Sequence, residues 1–178
     1  ACIRFLQEWS SWLTVINYTL FGLASGFLLA TAYAAYLAPA LVNFYAAWSL
    51  IITLAVLVTR TASLMRNARI KHKSTLQSAI GVRHNRIVQK SMGFMGGSFN
   101  TRDFFHGVKP LMFRSIKWTF LVLVFPVPMI LLWLGYAGGS PEVLLAAFVV
   151  QYLGLLVERW FFFAQSNHPQ NRYYQAIS

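Results

Sequence analysis

An all-α integral membrane fold with four transmembrane helices is what this sequence predicts, and three observations predict it. Four apolar runs are each long enough to cross a hydrocarbon core, which takes about 20 residues. Only 11% of the 178 residues are charged, against about 25% in a soluble domain. Twelve of the fifteen Lys and Arg residues fall between Arg60 and Lys117, between the second and third runs.

The runs place spans at about 13–37, 41–58, 118–136 and 143–163. The first pair is joined by Ala38-Pro39-Ala40 and the second by a short stretch from Ala137 to Glu142; neither connection carries Lys or Arg. Positive charge in short loops stays on the cytoplasmic side. The long loop and both termini are therefore expected in the cytoplasm, with Arg4 and Arg172 in agreement. Four segments follow: a helix remnant and first hairpin (1–60), a basic cytoplasmic loop (61–117), a second hairpin (118–164) and a polar tail (165–178). The chain begins Ala1-Cys2-Ile3 without Met. Ala1 to Leu6 reads as the tail of a preceding helix, as in the C-terminal part of a longer polytopic protein.

A net charge of +11 raises nucleic acid as a partner. The charge sits beside membrane spans, where topology and anionic headgroups of membrane lipids account for it. No helix-turn-helix, RNP or zinc-finger pattern is present, so no nucleic-acid partner is expected. The one cysteine, Cys2, cannot close an internal disulfide or hold an iron–sulfur cluster.

Within the spans, Gly22, Gly26 and Ala30 recur every four residues, a register that lets helix backbones approach closely. Pro126 and Pro128 should kink the third span, because each removes a backbone donor. Gln151 is expected to make an interhelical hydrogen bond. Residues 61–73 are good helix formers and should extend the second span. The stretch 81–107 is polar and glycine-rich, and includes Met92 to Phe99. Met and Phe in a basic loop favour a bound partner, with Arg83, His84, Arg86, Phe99 and Arg102 as candidate contacts.

All four histidines, His72, His84, His106 and His168, lie outside the spans. A haem between the helices needs imidazole from the spans, so no haem is expected here. The spacing of His72, His84 and His106 matches no zinc pattern. Met92 to Phe99 lacks the Lys-Ser/Thr of a P-loop. The Asn17-Tyr18-Thr19 sequon lies inside a span. The acidic residues Glu8, Asp103, Glu142 and Glu158 form no pair suited to acid–base work, so no covalent chemistry, no catalytic residue and no metal site are expected of the chain alone. Glu158 and Arg159 stand at the end of the fourth span, where ionisable groups are costly and are paired or functional. They read either as an interfacial ion pair to a neighbouring helix or as a polar wall beside a quinone or a docked subunit. A stand-alone transporter or lipid-handling protein is the alternative class. It would show an internal repeat and mid-membrane ionisable groups, and neither is evident.

The ending Glu158 to Ala164, followed by His168-Pro169-Gln170-Asn171 and Tyr173-Tyr174, resembles the C-terminus of the dimethyl sulfoxide reductase anchor-subunit family. Ala1 to Trp12 is similar to the end of that family's fourth helix and the loop after it. The resemblance implies that the spans are helices five to eight of an eight-helix subunit in the bacterial inner membrane. It implies two partners, an iron–sulfur subunit and a molybdopterin catalytic subunit, that hold those cofactors. It also implies electron transfer with the quinone pool and no haem. The loop from Arg66 to Gly107 resembles the version in sulfite dehydrogenase anchors, whose catalytic subunits are cytoplasmic. The family's proposed quinone site lies mainly in the first four helices, so it assigns no cofactor-binding residue here.

Overall fold

The computed structural model describes residues 6–71, 75–84, 86–88 and 110–166. Six α-helices are described and no strand is among the described residues: α1 (Trp12–Leu37), α2 (Val42–Ala68), α3 (Leu76–Ile80), α4 (Pro110–Val124), α5 (Pro126–Ala137) and α6 (Pro141–Ala164). Four stretches are long and apolar enough to cross a membrane: Trp12–Leu37, Pro39–Ala68, Leu111–Ala137 and Pro141–Ala164.

The helix starts follow from local chemistry. Ser11 caps α1 by accepting from the Leu13 amide. Pro39 opens a single 3-10 turn, Pro39–Leu41, that carries the chain into α2. Pro126 and Pro141 occupy first-turn positions of α5 and α6, where a missing N–H costs least. Gly139, at φ 60°, makes the turn between α5 and α6. The two prolines expected to kink the third span divide it into α4 and α5 at Phe125. The short α3 is held by a reciprocal capping box between Thr75 and Ser78.

Helix α2 runs on to Ala68, so the second span extends past Arg60 as expected for 61–73, and Arg60 lies inside the helix. One boundary differs from the sequence reading. The third apolar stretch begins at Leu111, about two turns earlier than expected.

The core has three parts. Phe21, Ala24, Val56, Val124 and Phe125 pack midway between α1, α2, α4 and α5. Leu28, Ala32, Leu132, Leu144 and Ala147 pack nearer the hairpin turns. Leu6, Trp9 and Phe162 close the opposite end. The Tyr136 hydroxyl donates to Asn43 Oδ1 at 2.9 Å, tying α5 to α2 beside the turns.

Close backbone approach occurs, but not where the small-residue stripe placed it. Gly22 and Gly26 have nothing within 4 Å of an added Cβ, because α1 turns Phe21, Ala24 and Leu28 into the bundle instead. The tight contacts belong to Gly154, whose Cβ would meet Leu123 at 2.9 Å, and Gly135, whose Cβ would meet Leu144 at 2.9 Å.

Candidate functional site

The interior face of α2 is unusually polar. Its buried residues are Ser49, Thr53, Val56, Arg60 and Ser63, spaced by four, three, four and three, which puts them on one helical face. Arg60 is 2% exposed, and its guanidinium reaches Glu158 of α6, which is 1% exposed. The Arg60 Nη2 to Glu158 Oε1 distance is 2.6 Å, and Arg159 Nη2 lies 3.0 Å from Glu158 Oε2.

These are charge contacts that lie off the hydrogen-bond axis. Arg60 Nε and Nη2, Glu158 Oε2 and Arg159 Nη1 have no aligned hydrogen-bond partner among the described residues. Aromatic faces surround the cluster instead. The Arg159 guanidinium stacks 3.5 Å from the Tyr18 ring centroid, with Phe21 and Phe162 each at 5.7 Å. Arg60 lies 5.7 Å from the Phe120 ring. All of these fall within cation–π range. One carboxylate and two guanidinium groups leave one formal positive charge in the cluster. A second polar contact lies nearby on the sequence, where the Thr59 hydroxyl donates to the buried Asn17 Oδ1 at 2.8 Å.

Deeper in α6, the Gln151 side chain donates to the Val124 carbonyl at 3.4 Å. That is the interhelical bond expected of it. Residue 128 would ordinarily supply that carbonyl with an N–H, but it is proline.

The end of the bundle opposite the hairpin turns carries the charge. Arg66 Nη2 donates to the Gln7 carbonyl at 3.0 Å, joining α2 to the segment before α1. Trp9 Nε1 donates to the Phe162 carbonyl at 3.1 Å, and the two rings stack at 5.4 Å. A cavity of about 430 Å³ opens beside them, lined by Trp9, Val15, Tyr18, Phe162 and Phe163 among others.

Of the residues picked from the sequence, Glu158 and Arg159 come together, with Arg60 as the partner that sequence reading missed. The signal was there in the spacing of Ser49, Thr53, Arg60 and Ser63. Arg83, His84 and Arg86 are exposed and follow α3 in the chain. There the Arg86 amide donates to His84 Nδ1 at 2.9 Å, and Gln77 Nε2 donates to the His84 carbonyl at 3.0 Å. Phe99 and Arg102 lie outside the described residues, as do Ala1 to Phe5, Met92 to Phe99, His72, His106, and residues 167–178 of the tail with His168.

Four membrane-length apolar helices around a buried ion cluster define a multi-pass helical membrane protein. Over its whole length of 178 residues the chain is 54% identical to a sulfite dehydrogenase subunit of Allochromatium vinosum. It spans 55% of that relative's length, about half. No family model matches the sequence, and no solved structure matches it.

Proposed function

We propose that this chain is part of the membrane anchor subunit of a sulfite-oxidising complex in the bacterial inner membrane. The 54% identity to a subunit of a sulfite dehydrogenase, aligned over the whole chain, carries this reading. On it, partner subunits hold the molybdopterin and the iron–sulfur clusters, and electrons from sulfite pass to the quinone pool. The chain supplies position and the partners supply the redox chemistry. The absence of a histidine from all four spans suits a subunit that passes electrons without haem of its own.

The basic segment between α2 and α4 faces the cytoplasm in this proposal, with the soluble subunits docked on it. Arg83, His84 and Arg86 are exposed and available for that contact, and Phe99 and Arg102 are further candidate contacts read from the sequence. The Arg60–Glu158–Arg159 cluster locks the two hairpins together beneath the docked subunits.

A mild-detergent pull-down from native membranes, with metal analysis of the eluate, tests the proposal. Molybdenum and iron co-eluting with larger subunits is the expected result. An eluate with neither metal overturns the anchor reading and favours a stand-alone transporter. Deleting residues 93–107 should release the soluble subunits from the membrane; their retention would remove the basic segment as the docking surface.

A further inference from the structure

The ion cluster sets a level along the bundle. Arg60 pairs there with Glu158 and lies 5.7 Å from the Phe120 ring, and Phe120 lies 5.2 Å from Phe161. From Glu158 back to Pro141, α6 covers about 26 Å at the rise of an α-helix. That accounts for most of a hydrocarbon core of about 30 Å. Helix α2 continues past the cluster to Ala68, about 12 Å further, and α4 starts at Pro110, about 15 Å beyond Phe120. Lys117 and Trp118, in cation–π contact at 6.0 Å, mark the boundary on α4. Sliding the core toward these helix ends would put the exposed Arg114 in lipid. Residues 61–68 and 110–116 therefore stand outside the hydrocarbon.

This end of the bundle shows cations and apolar side chains together. Arg69, Lys71 and Arg114 are exposed, and Arg66 and Lys117 are partly exposed. No carboxylate is exposed here among the described residues: Glu8 and Glu158 are buried, and Glu142 stands at the start of α6, beside the hairpin turn. Leu111 is 78% exposed, Met112 55% and Met65 52%. Leu111 and Met112 precede Arg114 and Lys117 on α4, so they lie on the water side of those cations, about 8 Å past Lys117. Anionic lipid would answer the cations, but it would leave Leu111 and Met112 beyond the reach of acyl chains. Methionine and other apolar side chains beside arginines are instead the composition of a protein–protein contact.

We infer that these helix ends dock an acidic protein face with an apolar recess. The recess seats Leu111 and Met112 at the start of α4, and the surrounding carboxylates meet Arg69 and Arg114. Opposite charge steers the partner to this end and fixes its orientation, while the two apolar side chains hold it there. The inference rests on the anchor reading above and deepens it. It gives the docked subunit a footing on the ends of α2 and α4, in addition to the segment between them, and it states the chemistry of the partner's face.

Native membranes washed with rising NaCl test it, with the molybdenum and iron left on the membrane as the readout. Two variants are compared with the unmodified protein: Leu111→Ser with Met112→Ser, and Arg114→Glu. All three positions are exposed, so the bundle should fold in each. Each variant should lower the NaCl concentration that releases half of the metal at least twofold. Membranes that hold both metals and lose them at the same salt in all three proteins overturn this inference alone. Membranes that hold neither metal overturn the anchor reading and this inference with it. A bimane label on Leu111→Cys, with Cys2 replaced by serine, separates protein from lipid. It should be quenched by iodide in salt-stripped membranes and shielded when the soluble subunits are bound. Quenching by brominated lipid in place of iodide would assign Leu111 to the bilayer and overturn the inference.

Discussion

The side-chain amide of Gln151 donates to the Val124 carbonyl at 3.4 Å, and Val124 stands four residues before Pro128. A helical carbonyl normally takes its hydrogen from the residue four positions on, and proline has none to give. A side chain from α6 thus replaces a backbone donor that α5 lacks. Interhelical bonds of this kind contribute about 0.6–2 kcal/mol in membranes. Gln151→Leu should therefore lower stability by about 1 kcal/mol, measured by denaturant titration in micelles. In a Pro128→Ala background the backbone donor returns, and the same change should cost almost nothing. An equal cost in both backgrounds would show that the two residues do not share this carbonyl.

Arg60 and Glu158 join the two hairpins through a contact sealed from water on both sides. Removing one partner of a buried pair costs about 3–5 kcal/mol, because the other charge is stranded. Arg159 keeps Glu158 partly compensated, so Arg60→Met should fall at the lower end of that range. Arg60→Met combined with Glu158→Leu should recover most of the loss, since a hydrophobic pair of similar volume replaces the ions. Additive losses in the double variant would sink this account of the cluster.

Gly154 and Gly26 should respond oppositely to alanine. At Gly154 the new methyl meets Leu123 and Val124 at 2.9 Å, and overpacking of this kind costs about 1–3 kcal/mol. At Gly26 the methyl meets open space, so alanine should be neutral or slightly stabilising. Thermal unfolding of the two variants side by side checks the contrast.

Trp9→Phe should separate the two parts of the Trp9–Phe162 contact. It keeps the stacked ring and deletes the indole donor to the Phe162 carbonyl. The expected loss is about 1 kcal/mol, against about 3–5 kcal/mol for Trp9→Ala. Limited proteolysis of the segment before α1 reports it directly, with Trp9→Ala cleaved fastest. Equal cleavage of all three proteins would mean that Trp9 does not hold this segment.

How much of this was legible in the sequence depended on what kind of signal each feature leaves. Hydrophobic length is local, so the four spans and the prolines at the α4–α5 break could be read directly. Gln151 could be read too, since an amide in an apolar span needs a partner. Facing is not local. Gly22, Gly26 and Ala30 form a good packing stripe, yet α1 buries the adjacent face with Phe21 and Leu28. Gly154 has no small neighbour one turn away to mark it as the true contact. The pairing of Arg60 was missed, although helix was expected beyond it, because a charge at the end of an apolar run reads as a solvated topology signal. The face it shares with Ser49, Thr53 and Ser63 was the clue that it points inward.

The Arg60–Glu158 bridge also has a consequence for how the protein is made. Its two halves belong to different hairpins, separated by about a hundred residues of chain. At ribosomal speeds of about 5–20 residues per second, Arg60 enters the bilayer roughly 5–20 s before Glu158 exists. During that interval the first hairpin carries an uncompensated cation that will later be sealed. Its partner Glu158 arrives only with α6. Sealing of this cluster thus waits for α6, and a ribosome stalled before α6 would leave a hairpin marked, by one unpaired arginine, as unfinished.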